Sequence, residues 1–233
     1  MITKSPTTPA LDEGGSGDER SEVERSGDES PGDERSQAGD GPEVELLINA
    51  TWAVAARTGS IEPGVREILQ EAGLSTKAFY RHFRSKDELL LVALDRASNV
   101  LVEYLEYRMA RVPDPLAKIG EWIDASLRQA ANPSAARRIL PWTLGFGRIA
   151  AMFPEQLERN QDAIIALLER EIRAAVESGE GQSPDPAGDA QIIFGCTAHT
   201  VHHHLINGTA PDAATSRRLT DFAQRALRAQ PTA

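Results

Sequence analysis

The sequence predicts an all-α protein, and three observations carry that prediction. Apolar residues recur at helical spacing in nearly every segment beyond Gly41-Pro42. Capping and turn residues, among them Gly73, Ser75, Ser85 and Pro113, punctuate those segments. No convincing alternating run or hairpin turn interrupts them.

Taken in order, residues 43–57 place Leu46, Leu47, Ala50, Ala53 and Val54 on one stripe, widened by Ile48, Trp52 and Ala55, which predicts a helix buried on most sides. Pro63 suits a first helical turn, where its missing N–H costs nothing, and residues 65–72 continue as helix until Gly73. Ser75 caps a short helix through Phe83. Ser85 with Glu88 forms a capping box that opens a long helix, in which Leu90, Leu94, Ala97, Leu101 and Leu105 keep helical spacing almost to Pro113. Further helices are expected at 115–131, 135–152, 154–178, 189–207 and 213–229. Pro141, Gly145 and Gly147 interrupt the fourth-last pattern and mark a segment able to shift.

Composition divides the chain of 233 residues. Residues 1–42 hold almost no large apolar side chains and repeat fragments of Gly-Asp-Glu-Arg-Ser, with eleven acids against four bases. Such a stretch cannot bury enough apolar surface to offset its chain entropy, so an acidic disordered tail is expected. The domains expected after it are 43–90 and 91–233. Most of the formal charge of −10 lies in the tail, leaving the rest mildly acidic. Residues 76–86 carry Lys77, Arg81, Arg84 and Lys86 without any acid, a basic patch that the global pI of about 5.0 conceals. The single cysteine, Cys196, excludes an intramolecular disulfide and fits a reducing cytoplasm. No basic-then-apolar leader pattern occurs, and no apolar run approaches the ~18 residues of a membrane span, so the expected location is the cytosol.

Residues 61–83 hold the parts of a helix-turn-helix: a short helix, a glycine turn, and a second short helix with a basic, polar outer face. Val65, Ile68, Leu69, Leu74, Phe79 and Phe83 are expected to pack inward. Thr76, Lys77, Ala78, Tyr80, Arg81 and His82 are then left for the exposed sides, the arrangement that groove insertion requires.

The run Val65-Arg66-Glu67-Ile68, then Glu71-Ala72-Gly73-Leu74-Ser75, Ala78-Phe79-Tyr80-Arg81-His82-Phe83 and Ser85-Lys86-Asp87-Glu88-Leu89-Leu90 resembles the tetracycline-repressor (TetR) family. The resemblance spans residues 45–90 and beyond Leu94 is architectural only. It implies an N-terminal three-helix reading domain followed by a larger helical ligand-binding and dimerisation domain. It implies phosphate contacts from Ser75, Tyr80, His82 and Lys86, whose hydroxyl, imidazole and ammonium donors position a protein without reading sequence. Combined with contact chemistry it makes Thr76, Lys77 and Ala78 base-edge candidates, Lys77 toward guanine and the other two toward a thymine methyl, while Arg81 can do either. Three positions depart from the family pattern. Ala55 stands where a large aromatic is usual, Pro63-Gly64 replaces a capping threonine, and Leu69 replaces alanine.

One small helix offers too little contact for specificity, so such proteins pair on two half-sites. The family resemblance puts the dimer surface on the last two long helices, and Leu219, Phe222, Ala223 and Ala226 give the last of them an apolar stripe. The middle helices are expected to enclose a mostly apolar effector site, with Tyr104, Tyr107, Trp122, Trp142, Phe146, Met152 and Phe153 as pocket candidates or plain core. The implied partners are double-stranded operator DNA, a small, largely apolar effector and a second copy of the chain, with no membrane, cofactor or catalytic residue. The function implied is a ligand-released repressor on a palindromic operator.

Two alternatives stay open at this point. Cys196, His199 and His203, flanked by His202 and His204, lie near one helical face and offer zinc ligands, which would suit a metal-responsive regulator. A small helical enzyme using Cys196 with His199 is the other. Neighbours three apart on one helix do not by themselves supply an oriented base, an oxyanion site or a third group.

Overall fold

The computed structural model describes residues 41–228, and they form ten α-helices without a strand. Of the expected tail only Gly41 and Pro42 are described; the rest of that expectation lies outside the described residues. Helix α1 (Pro42–Thr58) starts on a proline, carries Glu43 and Glu45 in its first turn, and stops at Gly59. Acids at a helix N-terminus complement its dipole. Gly59 takes the left-handed φ of 73° and returns its N–H to Ala55 O.

Helices α2 (Val65–Ala72) and α3 (Thr76–His82) meet at Gly73, whose φ of 66° is the left-handed turn expected there. Ser75 caps α3 by accepting from the Ala78 N–H at 3.2 Å. Ser85 caps α4 (Lys86–Met109) by accepting from the Glu88 N–H at 3.1 Å. The reciprocal arm of that box reaches one residue further back than expected: Glu88 Oε2 accepts from the Arg84 N–H at 2.6 Å.

The remaining helices are α5 (Pro115–Ala131), α6 (Pro133–Leu144), α7 (Phe146–Met152), α8 (Pro154–Glu177), α9 (Pro186–Ile206) and α10 (Ala213–Leu227). The single helix expected over 135–152 is therefore two. Asn132 starts α6 by accepting from the Ser134 and Ala135 N–H groups. The chain then breaks at Gly145, where a Cβ would sit 2.6 Å from Ile61 Cδ1. Glycine lets this corner press directly on the loop between α1 and α2.

Two apolar clusters organise the described residues. One joins Leu105, Met109, Ile119, Trp122, Ile123, Leu168 and Ile172 with their neighbours on α4, α5, α8, α9 and α10. The other joins Val44, Leu47, Ile48, Ile68, Phe79, Phe83, Leu89 and Leu90, and it also takes in Trp142 and Ile149 from α6 and α7. Two buried hydroxyls are satisfied locally: Thr51 donates to Leu47 O and Thr197 to Ile193 O. Buried Glu171 meets Lys118 Nζ at 3.1 Å and Arg170 Nε at 3.0 Å, so its charge is not left alone.

Phe79 is fully buried and Phe83 nearly so. Their rings lie 5.8 Å apart and anchor one side of α3 in the apolar cluster shared with α1, α2 and α4. Phe79→Ala is expected to destabilise the fold by about 3–5 kcal/mol, the usual cost of emptying a buried aromatic site, read as a lower urea midpoint. A loss under about 1 kcal/mol would show that Phe79 is not the anchor.

Candidate nucleic-acid interface

Since α3 is pinned on its Phe79 side, its opposite side faces outward. Ser75, Thr76, Lys77, Tyr80 and Arg81 are exposed, Tyr80 by 63 %, while His82 and Lys86 are half-buried. Ala78 departs from expectation. At 5 % exposure it packs inward, because it follows the α3 N-cap on the same side as Phe79, and its methyl does not join the outer face. The exposed residues thus form a compact polar surface led by Lys77, Tyr80 and Arg81.

An acid controls part of this surface. Glu43, in the first turn of α1, places one carboxylate oxygen, Oε2, 2.9 Å from Arg81 Nη1 and 2.7 Å from His82 Nε2. The imidazole N–H donates to that oxygen and, with the Arg81 guanidinium beside it, holds the Glu43 carboxyl below the usual carboxylate range. The sign follows from linkage: this contribution to stability is present above the ordinary carboxylate pKa and is lost as the pH falls through the lowered one. Arg81 and His82 are therefore oriented by α1 at neutral pH. Glu43 carries no motif signal, and its separation of 38 positions from Arg81 hides the pairing from a local reading of sequence.

The start of α2 compensates for its missing threonine cap. Gly64 offers no side-chain cap, and its N–H donates to Glu67 Oε2 at 3.0 Å. Beside α2, Arg57 and Glu71 pair at 3.6 Å across a shallow polar hollow, with Glu67 and Gln70 on its wall.

The pocket candidates do not come together. Tyr104 and Trp122 belong to the cluster of α4, α5, α8, α9 and α10, where Trp122 lies 6.4 Å from the ring of Phe194. Tyr104 Oη accepts from Arg108 Nη1 at 2.9 Å. Trp142 and Phe153 instead pack with the reading helices, and the Trp142 ring centre lies 4.4 Å from that of Trp52 on α1. Met152 is half-buried, whereas Tyr107 and Phe146 are exposed. The indole N–H groups of Trp122 and Trp142 are both buried without a hydrogen-bond partner among the described residues.

Trp52–Trp142 is one of the contacts that join the N-terminal helices to the α6–α7 corner. Ile61 lies against Gly145, and Arg148 grips Glu62 with two nitrogens, each 2.8 Å from a carboxylate oxygen. The fork geometry orients α7 against the loop that leads into α2. The sequence gives Trp142 and Gly145 as notable residues but does not disclose Ile61 or Glu62 as their partners.

On α9, Cys196, His199 and His203 are all exposed, and among the described residues no group of three metal-donor side chains converges within one chain. On α10 the expected stripe divides. Leu219 and Ala223 turn to the core, while Phe222 and Ala226 face outward. None of the helices in the described residues is long and apolar enough to cross a membrane.

Residues 47–93 match the family model for bacterial regulatory proteins of the tetR family. Among solved structures, the chain resembles the fatty acid degradation regulator FadR from Bacillus halodurans at 19 % identity and a TM-score of 0.69, over 79 % of this chain and 96 % of that one. It resembles the reduced form of NemR from E. coli at 16 % identity and a TM-score of 0.67, over 82 % and 100 % of the two chains. It also resembles the transcriptional regulator FadR from Bacillus subtilis in complex with stearoyl-CoA at 18 % identity and a TM-score of 0.64, over 78 % and 98 %. At these identities the structural likeness speaks for the fold, and the matched segment, which contains α2, α3 and the start of α4, speaks for the chemistry. Residues 47–93 therefore carry the regulatory segment of the bacterial tetR family, and the chain as a whole shares the fold of tetR-family transcription regulators.

Proposed function

We propose that the chain is a cytosolic, ligand-released repressor that binds a palindromic operator as a dimer. The observation that carries this reading is the outward basic face of α3, buttressed from behind by Phe79 and Phe83. Thr76 and Lys77 read base edges in the major groove, and Ser75, Tyr80, His82 and Lys86 hold phosphates. Arg81 serves either role once DNA competes with Glu43 for it. Dimerisation uses α9 and α10, whose outward Ile192, Ile206 and Phe222 are large apolar side chains in contact with water.

Release follows from the α6–α7 corner. An apolar effector that enters between the helices beyond α4 and favours another setting of α6 would act on Trp52 through Trp142 and on the α2 loop through Gly145 and Arg148. That would move the two reading heads out of register with their half-sites. The stearoyl-CoA bound by the similar FadR from Bacillus subtilis supports an effector that carries a long apolar chain.

Selection of bound duplexes from random DNA tests the reading and is expected to return a palindrome. Tyr80→Ala should then weaken binding to all sequences alike. Lys77→Ala should alter the preferred base at one position per half-site, with about 1 kcal/mol of discrimination lost. Uniform loss for Lys77→Ala would make it a phosphate contact.

Glu43→Gln removes the carboxylate that neutralises Arg81. The plot of log affinity against log salt should steepen by about one unit, as expected for one more phosphate neutralised. An unchanged slope would show that Arg81 reaches DNA while still tied to α1.

A further inference from the structure

The outer face of α9 combines apolar residues with metal donors in a self-complementary order. With about 100° between successive residues, Ile192, Cys196, His199, His203 and Ile206 fall within about 80° of arc. Ala190, Ile193, Thr197 and Leu205, the buried residues of this helix, occupy the other side. Ile192 and Ile206 are 58 % and 47 % exposed, so the face is partly apolar and open among the described residues; Asn207 Nδ2 lies 3.3 Å from His203 Nδ1, which leaves the His203 Nε2 for a ligand.

The order of these residues is nearly symmetric about His199. Ile192 and Ile206 stand seven residues before and after it, and Cys196 and His203 stand three before and four after. A two-fold interface requires the same patch on both copies, each residue meeting its counterpart's partner. Two α9 helices crossing antiparallel at His199 set Ile192 of one copy against Ile206 of the other, and Cys196 of one beside His203 of the other.

We propose that this face binds divalent zinc-class ions shared between two copies of the chain, a reading that rests on the dimer proposed above. Each ion is held by Cys196 and His199 of one copy and His203 of the other, with water in the fourth position. The chemistry suits the donors, since thiolate and imidazole are zinc ligands and three of them plus water complete a tetrahedron. The reach suits them too. Cys196 and His199 are only about 4.5 Å apart along the axis, and packed helices lie about 8–10 Å apart, so all three donors open into one gap. A single copy supplies no third converging ligand, in keeping with the absence of a three-donor group within one chain among the described residues. On binding, each Cys196 thiol loses its proton to solvent, so metal retention weakens in acid.

The test uses the full chain purified without a histidine tag, loaded with zinc, dialysed, and measured for metal content beside light-scattering mass. One zinc per chain on a dimer is expected, and Cys196→Ser, His199→Ala and His203→Ala should each reduce it at least tenfold while the dimer persists. Complementation then shows that the site is shared. A His203→Ala chain co-expressed with a Cys196→Ser/His199→Ala chain should recover one zinc per heterodimer. A dimer that holds no zinc overturns the metal site alone. Zinc retained without complementation overturns its sharing between copies. A folded monomer overturns the dimer reading and this proposal together. The register has its own check: Cys196→Ser/His199→Cys should oxidise to a linked dimer. The native Cys196 pair, about 9 Å apart along the axis, should not, because it exceeds the roughly 7 Å Cα limit of a disulfide. Linkage through Cys196 but not through position 199 overturns the register.

Discussion

The burial of Phe79 and Phe83 in the apolar cluster shared with α1, α2 and α4 is the constraint on which the outer face of α3 depends. A seven-residue helix has too few hydrogen bonds to persist alone, so tertiary packing must hold it. The two rings bury one side of α3 and thereby commit Lys77, Tyr80 and Arg81 to the other. The Gly73 turn and the Ser75 cap fix where that helix begins, and the Ser85 cap fixes where the next one takes over. DNA recognition is thus a consequence of apolar packing one layer behind it.

The reading surface is also wired to two distant elements. Glu43 orients Arg81 and His82 from the first turn of α1, and the α6–α7 corner grips α1 and the α2 loop through Trp142, Gly145 and Arg148. The second set of contacts gives any shift of α6 and α7 a short mechanical path to α1 and the α2 loop. The bidentate Arg148–Glu62 pair is exposed on the arginine side, so it contributes orientation more than stability. The tight Ile61–Gly145 approach, by contrast, transmits displacement directly, since packed side chains resist compression.

Much of the fold was legible because its signals are local. Apolar period, caps and glycine turns located the helices, and the tetR-like motif identified the reading head within a few residues of the matched segment. The helix break at Gly145 was visible as a weakness but not as an end, since its cause is the close approach of Ile61 from elsewhere in the chain. Ala78 was misplaced for a related reason. Small residues give a weak apolar signal, and the packing of Phe79 settles which way the neighbouring methyl turns. Glu43 was not legible at all, because ion pairs distant in sequence have no periodicity. Aromatic content likewise could not assign Trp122 and Trp142 to one site; three-dimensional packing puts them in different clusters.

The central claim is that the outer face of α3 enters a major groove. It is tested most directly by titrating the chain against its selected operator in which each guanine in turn is replaced by 7-deazaguanine, which lacks the N7 acceptor of the major groove. The account predicts weakened binding at one or more guanines per half-site, symmetrically placed, and no such loss for the Lys77→Ala chain at those positions. Affinity indifferent to every such replacement, yet lowered by groups placed in the minor groove, would contradict it.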